Sequence, residues 1–452
     1  MPERVRAGSL LRQGRVWAIP LAVACVLIAI MTVLYIGSTF DPVAHMHGLP
    51  VSLVNEDKGA RVDGRSENVG AQVQSSLLGA PAVKQKLAIQ TSTLAAAKAR
   101  MNRGAAFATV VIPSDLTASL LALTGQAPAG STSSSSTGLP EIVILSNTRA
   151  GSEGASLAGG VLQPALHQIS KAVGKEESKL AARGGASSTA AESAVLANPL
   201  AIASTTYRPL PNNAALGLSA FYASLLILMC GFVGAVIVNT MLDGVLGYAP
   251  IETGPRWEQR RPMLISRTQT LLAKWAMAMV LTALLTAVVL LIAAGLIGLD
   301  TPDPLLLWLY GWLCAATVAI GTLALIAVLG SLGQLVGLLL FVYLGLASAG
   351  GTVPIQALPG VLKLVSHADP LRQILGGVRS ILYFDGRADA GLAEGAIAAA
   401  IGMVFWLAFG ALFVTRYDRK GLHRMDPALL EYVHRAADAY SVPAEPPPAA
   451  SS

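Results

Sequence analysis

Six long apolar runs, separated by polar stretches, dominate the pattern of hydrophobic positions along the chain. They are Val16–Ile36, Leu216–Asn239, Trp275–Leu299, Leu305–Leu329, Leu335–Ala349 and Leu392–Val414. A helix needs about 20 apolar residues to cross a hydrocarbon core of about 30 Å, and only the fifth run is clearly shorter. The residues Gly330–Gly333 separate the fourth and fifth runs and predict a tight turn. The pattern predicts an α-helical integral membrane protein with six transmembrane helices, the last five forming a membrane domain at 216–414.

The first run follows a basic N-terminus, residues 1–15, which contains four arginines. A cleaved signal peptide has a shorter apolar region and a cleavage site between small residues. The first run is too long for this and leads into aromatic and hydroxyl residues. We therefore expect an uncleaved transmembrane helix at residues 16–36.

The basic residues predict the orientation of these helices. Lysine and arginine gather in residues 1–15, in the loop 240–274 and after the last run, in residues 415–452. Cytoplasmic segments of membrane proteins collect these residues. We therefore expect a multi-pass protein of the cell membrane with both termini in the cytoplasm. The C-terminal tail ends in a proline-rich stretch, which predicts disorder.

The segment 40–212, between the first two runs, is long enough to form a domain of its own. Strands are predicted at Leu49–Val54, Ala105–Ile112 and Glu141–Leu145, and helices at 68–102, 114–123 and 156–183. The Ser-rich stretch 126–138 predicts a flexible loop. Strands that alternate with helices predict a small α/β domain, here extracytoplasmic and inserted between transmembrane helices 1 and 2.

A polar turn follows the first strand of this domain. It consists of Asn55, Glu56, Asp57, Lys58 and Gly59. Carboxylate and amide oxygens in a turn suit Ca²⁺, but this turn lacks the ligand number and spacing of an EF-hand loop. The alternative is a strand-ending turn that directs its charges to water. We favour the second interpretation.

The composition and motifs argue against most soluble and enzymatic functions. Hydrophobic residues make up 53% of the chain and charged residues 13%, which excludes an ordinary soluble protein. The formal charge of +6 is explained by the lysine and arginine that collect at the cytoplasmic ends of membrane helices, so no nucleic-acid partner is expected. No P-loop, zinc-protease or serine-hydrolase motif occurs. We expect no enzyme, no cofactor and no metal site. The apolar runs also lack a midplane charge that could serve as an ion relay.

The predicted cytoplasmic loop 240–274 contains a candidate docking segment for a partner. Its basic and aromatic residues are Arg256, Trp257, Arg260, Arg261 and Arg267. Such residues anchor in lipid head groups, and they also suit a helix that docks a cytosolic protein. The sequence leaves both interpretations open.

Four glycines are candidates for close packing between helices. Glycines in the second and fifth runs permit close contact between helices, either within one subunit or between subunits. These candidate packing residues are Gly231, Gly234, Gly333 and Gly337.

The segment 354–386 contains apolar stretches that are too short to span a membrane and too apolar for a free loop. They predict re-entrant or interfacial helices on the outer side.

Three stretches resemble a known family. The sequence Leu-Pro-Val-Ser-Leu-Val-Asn-Glu-Asp-Lys-Gly-Ala at 49–60 is similar to the opening of YhgE/Pip (phage infection protein) membrane proteins, and residues 103–116 are similar to a later strand of the same domain. Residues 370–386 resemble the outer helices of type-2 ABC exporter permeases. The resemblance implies a permease fold, a homodimer and a docking site for a separate cytosolic ATPase near Arg256–Arg267. The outer domain is shorter than in many members.

Two functions are consistent with these observations. The first is the permease subunit of an ABC-type exporter for a hydrophobic or amphipathic compound, energised by a separate ATPase. The second is a non-transporting membrane scaffold or surface receptor, whose outer domain binds an envelope or secreted partner. Six runs without a P-loop or a charged relay favour the first function.

Overall fold

The computed structural model describes residues 14–62, 65–123, 139–183, 195, 197–258, 260, 262–263, 265–422, 424, 431–432 and 435. The predicted flexible loop, the basic N-terminus up to residue 13 and most of the predicted disordered tail lie outside these residues. The chain forms two compact units. Unit 1 comprises residues 1–222, 299–303 and 343–394, and unit 2 comprises residues 223–298, 304–342 and 395–452.

Unit 1 begins with α1 (Gly14–Thr39) and the short α2 (Pro42–His45), and an α/β domain follows. Its strands are β1 (Leu49–Asn55), β2 (Ala60–Val62), β3 (Arg65–Glu67), β4 (Leu87–Thr91), β5 (Ala108–Ile112), β6 (Glu141–Ser146) and β7 (Ala201–Thr206). Its helices are α3 (Val69–Gly79), α4 (Pro81–Lys86), α5 (Leu94–Met101), α6 (Leu116–Leu123) and α7 (Ser152–Arg183).

Five strands form one mixed sheet in the order β4–β1–β5–β6–β7. β1 pairs in parallel with β4 and β5, β5 pairs antiparallel with β6, and β6 pairs in parallel with β7. Parallel neighbours need crossover connections, which the helices supply. The central strands are buried at Val51, Val110 and Ile144, which are at most 1% exposed. This arrangement confirms that the chain contains an α/β domain.

The predicted single helix over 68–102 is wrong. The structure has α3, α4, β4 and α5 in its place. Pro81 begins a new helix, and Leu87–Thr91 pairs with β1 along the sheet edge. The Ala-rich composition favours a helix locally, but strand pairing overrides that preference. Of the five strands in this sheet, β7 is the other one, beside β4, that was not predicted from the sequence.

The remaining elements belong to the helical part of the chain. They are α8 (Leu218–Val245), the hairpin strands β8 (Ile251–Thr253) and β9 (Arg256–Glu258), α9 (Arg267–Leu290, continued as a π-helix to Leu296), α10 (Pro304–Leu329), α11 (Ser331–Gly337, continued as a π-helix to Tyr343), α12 (Leu344–Ser348), α13 (Gly360–Val365), α14 (Pro370–Tyr383) and α15 (Leu392–Arg419).

Six helical segments among the described residues are long and apolar enough to cross a membrane. They are Leu21–Thr39, Ala215–Val245, Arg267–Leu296, Pro304–Leu329, Ser331–Ser348 and Leu392–Arg419. Several expose large apolar side chains, such as Val33 (71%), Leu296 (83%) and Val404 (67%). Such surfaces are unfavourable in water and suit lipid contact. The six predicted spans are therefore present, and the chain is a helical, multi-pass membrane protein.

The chain segments that make up unit 1 are those expected on one side of a membrane if the chain crosses it six times. Spans that alternate in direction bring the segments before α8, between α9 and α10, and between α12 and α15 to one side. All three segments belong to unit 1. A backbone hydrogen bond joins two of them, from the N–H of His47 to the carbonyl of Gln356 (3.1 Å).

Unit 2 has its core around α10, where Ala319, Leu323 and Ala324 are at most 1% exposed. Trp275 of α9 packs into the same cluster and donates a hydrogen bond from Nε1 to the carbonyl of Ile320 (3.3 Å). α10 is thus enclosed by other helices of this unit, whereas α9 leaves much of its apolar surface exposed.

Candidate functional site

Unit 1 contains a cavity of about 580 Å³. Four parts of the unit form its walls: the chain beside the starts of β1 and β5, the start of α7, the start of α8, and the segment from the end of α12 to the start of α15. Pockets for small molecules commonly measure about 300–1,000 Å³. The cavity is therefore large enough for a compound of moderate size.

Arg379 of α14 is a half-buried cation in the wall of this cavity. Its Nη2 donates a hydrogen bond to the carbonyl of Gly351 (3.2 Å), while its buried Nε has no hydrogen-bond partner among the described residues. No described carboxylate lies within 4 Å of the guanidinium. Burial lowers the pKa of Arg379 to about 10. A buried arginine without a counter-charge is costly in a protein.

Three other charged residues line the cavity. Arg372 is half-buried and donates from Nη1 to the hydroxyl of Ser366 (3.2 Å). Glu153 and Glu394 are both exposed. The acidic groups therefore belong to the solvated part of the wall, whereas Arg372 and Arg379 are both half-buried.

Asp369 fixes the start of α14 and thereby the helix that carries Arg379. Its carboxylate accepts hydrogen bonds from the backbone N–H of Leu371 (2.9 Å) and the hydroxyl of Ser348 (3.1 Å). This is an N-cap, which satisfies a free N–H of the first helical turn. Asp369 is 2% exposed, and burial raises its pKa to about 7.

The other end of α14 is held by the α/β domain. Arg149 donates from Nη1 to the carbonyl of Tyr383 (2.7 Å), and the hydroxyl of Tyr383 accepts from the backbone N–H of Ala220 (3.3 Å). Both ends of α14 are thus fixed within unit 1, which leaves little freedom for the position of Arg379.

Gly351 must be a glycine for the cavity to have this wall. A Cβ atom at this position would lie 2.0 Å from the ring of Phe221. The absence of a side chain lets the carbonyl of Gly351 reach Arg379. This contact is a consequence of close packing, not of an unusual backbone angle.

Unit 2 contains a second cluster of buried charges, at the junction of α8 and α9. The carboxylate of Asp243 contacts Lys274 Nζ (2.7 Å) and binds Arg424 in a bidentate manner (2.6 and 2.9 Å). Lys274 also donates to the side-chain oxygen of Asn239 (2.7 Å). The guanidinium of Arg424 lies over the ring of Tyr248, 4.8 Å from its centre. Each charge here has a partner, which is typical of a structural cluster.

The predicted loop 240–274 is shorter in the structure. α8 continues to Val245 and α9 begins at Arg267, so Asp243 and Lys274 lie in helix termini. The sequence analysis noted Lys274 only as a basic residue of a loop. Its burial depends on Asp243 and on Arg424, which is distant in the sequence, and the sequence pattern does not reveal that contact.

The polar turn Asn55–Gly59 lies at the end of β1. The carboxylate of Asp57 accepts hydrogen bonds from the backbone N–H groups of Gly70 (2.9 Å) and Thr117 (3.2 Å), and from the Thr117 hydroxyl. Asn55 accepts from the N–H of Asp57 (3.1 Å). Gly59 has a positive φ of 67°. Glu56 and Lys58 are the other members, and both are exposed. Asp57 thus joins β1 to α3 and α6.

The candidate docking residues lie in different environments. Arg256 and Trp257 form part of the β8–β9 hairpin, and Trp257 is 63% exposed. Arg260 contacts Glu258 (3.1 Å) at the surface. Arg267 begins α9, and its Nε donates to the carbonyl of Leu422 (2.6 Å).

The candidate docking helix is instead a hairpin at residues 251–258. Gly254, with a φ of 58°, and Pro255 form a two-residue turn that suits paired strands and interrupts a helix. Arg261 lies outside the described residues.

The candidate packing glycines all lie in unit 2. A Cβ at Gly231 would lie 2.4 Å from the carbonyl oxygen of Ala315, and one at Gly333 would lie 2.1 Å from that of Leu325. Gly234 and Gly337 have ordinary contact distances of 3.4 and 3.5 Å to their neighbours. The close approaches at Gly231 and Gly333 are therefore between helices of one chain.

The sequence alone does not single out Arg379 as a site residue. In the segment 370–386 only the apolar pattern and the family resemblance stand out. Within the described parts of the chain, no group of three or more His, Cys, Asp or Glu residues could hold a metal ion. Arg379 could have been noticed as a basic residue in a segment otherwise suited to burial, but its missing counter-charge is visible only in three dimensions.

Comparison with known proteins gives one family. Residues 20–406 match the family model described as "Protein of unknown function (DUF3533)". No curated protein and no solved structure matches the chain. The finer resemblance to YhgE/Pip proteins and exporter permeases stays a prediction. The family match extends from α1 into α15 and includes all residues of the cavity, and the chain therefore belongs to the DUF3533 family of proteins of unknown function.

Proposed function

We propose that the chain is the permease subunit of an ABC-type exporter for an amphipathic compound, energised by a separate ATPase. The observation that carries this proposal is the cavity of unit 1, which combines a half-buried cation with apolar walls beside the ends of candidate spans. A carrier for amphipathic compounds needs a site of this mixed character near the membrane. We propose no enzymatic role.

The proposal includes an orientation. Both termini and the β8–β9 hairpin would lie in the cytoplasm of a cell with this protein in its plasma membrane, and the α/β domain would lie outside. The distribution of lysine and arginine supports this orientation. The exposed Arg256 and Trp257 would then be available to the ATPase. A homodimer is part of the same proposal and rests on the resemblance to exporter permeases.

The test is purification from the native membrane in mild detergent, with mass spectrometry of co-purifying proteins. We expect a P-loop ATPase in stoichiometric amount, and its loss in the variant Arg256→Glu/Arg260→Glu. The control is Arg387→Glu, which alters an exposed arginine of unit 1 that pairs with Asp389 (3.0 Å). Recovery of the folded chain without any ATPase would contradict the proposal.

A membrane scaffold or surface receptor is the second candidate. It is favoured by the edge strand β7, whose last three residues, Ser204–Thr206, are exposed and could pair with a strand of a partner. An envelope or secreted protein that co-purifies, and that is lost when Ser204 is replaced by proline but not when the hairpin arginines are reversed, would favour this function.

A further inference from the structure

The guanidinium of Arg379 has unused hydrogen-bonding capacity toward the cavity. An arginine carries five N–H donors. The structure uses one of these, on Nη2, for the carbonyl of Gly351, and no other hydrogen bond joins this guanidinium to a described residue. Nε is buried and has no partner in the described part of the chain. The half-buried guanidinium therefore keeps unused N–H donors, in a planar arrangement, in the wall of the cavity.

Such a fork is suited to an anion. Phosphate and carboxylate oxygens match the guanidinium geometry, and charge-assisted hydrogen bonds of this kind are stronger than neutral ones. The exposed Glu153 and Glu394 also line the cavity, but neither forms an ion pair with a described residue. Arg379 therefore has no carboxylate partner among the described residues, and a bound anion would supply the missing charge.

The rest of the wall indicates that the anion belongs to a larger molecule. The cavity volume far exceeds that of an inorganic phosphate, and Phe107, Ile355 and Leu375 contribute apolar surface. Leu218 and Ala349, also in the wall, stand beside the ends of two candidate spans. This is the depth at which a molecule with an alkyl chain would present its polar head.

We propose that the cavity of unit 1 binds the anionic head group of an amphiphile, with Arg379 as the anchoring residue and Arg372 as a second cationic contact. The ligand is an alkyl or acyl chain with a phosphate or carboxylate head, either a membrane lipid or a free amphiphile. The inference names the substrate class and rests on the proposed export function.

The test measures binding to the purified full chain in dodecyl maltoside, a neutral detergent. Dodecyl phosphate is the probe, inorganic phosphate is the comparison ligand, and calorimetry gives the dissociation constants. We expect dodecyl phosphate to bind at least about tenfold more tightly than inorganic phosphate, because only the former has the apolar chain. Equal affinities, or no binding of dodecyl phosphate, would overturn the proposal.

Variants at Arg379 test the anchoring role. Arg379→Gln removes the charge and should weaken dodecyl phosphate binding by about 10- to 100-fold, as loss of a charge-assisted hydrogen bond does. Arg379→Lys keeps the charge and should recover part of the affinity. Arg387→Gln, which alters an exposed arginine outside the cavity, should leave it unchanged. Unchanged binding in a monodisperse Arg379→Gln preparation would overturn the assignment.

Reconstitution in nanodiscs distinguishes the two sources of ligand. Phosphatidylglycerol in a phosphatidylcholine disc should displace dodecyl phosphate if the ligand is a membrane lipid, and should fail to do so if the ligand is a free amphiphile. Either result supports the anion site. The binding measurement needs no ATPase, so the two proposals can fail separately. Binding of dodecyl phosphate without a co-purifying ATPase would support the anion site and contradict the exporter. A co-purifying ATPase without binding of dodecyl phosphate would support the exporter and contradict the anion site.

Discussion

Two cationic regions of this chain differ in how many hydrogen-bond and charge partners the fold supplies to them. In unit 2, Lys274 and Arg424 share the carboxylate of Asp243, and Asn239 accepts a further hydrogen bond. In unit 1, Arg379 has one carbonyl contact, and its Nε has no hydrogen-bond partner among the described residues. The first cluster therefore finds its partners within the fold, whereas the second keeps unused donors in the part of the chain that the structure describes. The difference is the reason for proposing a ligand at Arg379 and a structural role for Asp243.

Replacement of Asp243 by Asn should have the largest effect. It leaves the buried Lys274 without a counter-charge beside the more exposed Arg424, and loss of one member of a buried ion pair costs about 3–5 kcal/mol. We expect a marked fall in the thermal unfolding temperature in detergent. The control is Glu258→Gln, whose partner Arg260 lies at the surface. A normal unfolding temperature for Asp243→Asn would show that the cluster is not structural.

Asp369 provides a pH-dependent test within unit 1. Its pKa is raised from 3.8 to about 7, so the folded state holds the proton more tightly than the unfolded chain. Stability should therefore fall as the pH rises from about 4 to about 7, by on the order of 3 kcal/mol, and change no further above that range.

The matched variant is Asp369→Asn, which retains an oxygen for the N–H of Leu371 and does not ionise. We expect its unfolding temperature to exceed that of the natural chain at pH 8 more than at pH 5. An identical pH dependence in both proteins would show that the carboxylate of Asp369 does not carry the effect.

Arg379 should behave unlike Lys274 when its charge is removed. In the absence of anionic amphiphiles, Arg379→Gln should change the free energy of unfolding by about 1 kcal/mol or less, because one hydrogen bond is lost and the burial of an uncompensated charge is relieved. Lys274→Gln should be clearly more damaging. Thermal unfolding of both variants in neutral detergent measures the difference, and equal losses would remove the distinction between the two regions.

The smallest effect is expected at the surface hairpin. Arg260→Gln breaks an exposed ion pair with Glu258, and such pairs contribute about 0–1 kcal/mol. We expect an unchanged unfolding temperature. A loss comparable to that of Asp243→Asn would show that the hairpin is part of the structural core of unit 2.

The membrane-spanning helices could be predicted from the sequence. The strands and helices of the α/β domain could be predicted only in part. Six apolar runs became six candidate spans because the length of an apolar run is a direct requirement of a bilayer. β1 and β5 were predicted from their buried apolar residues. β4 was not, because its Leu-Ala-Ile-Gln-Thr sequence gains its strand conformation from pairing with β1.

The cavity was less accessible to sequence reasoning. Its wall comes from segments more than 200 residues apart, such as Phe107 and Leu375. The polar turn at Asn55–Gly59 attracted attention through its charge, but Asp57 uses that charge to hold α3 and α6. Arg379 does not stand out in the sequence. Its candidate role depends on the absence of a carboxylate partner among the described residues, which only the structure reveals.

The position of Arg424 has a consequence for how the chain is synthesised. Asp243 and Lys274 leave the ribosome well before Arg424, so the charge cluster of unit 2 stays incomplete until the last helix and the residues after it have been made. The bidentate contact between Arg424 and Asp243 can therefore form only after all six apolar helices have been synthesised. A chain that stops at Gly421 would contain all six apolar helices and still lack this contact, and it should be degraded faster in a pulse–chase experiment than the full chain.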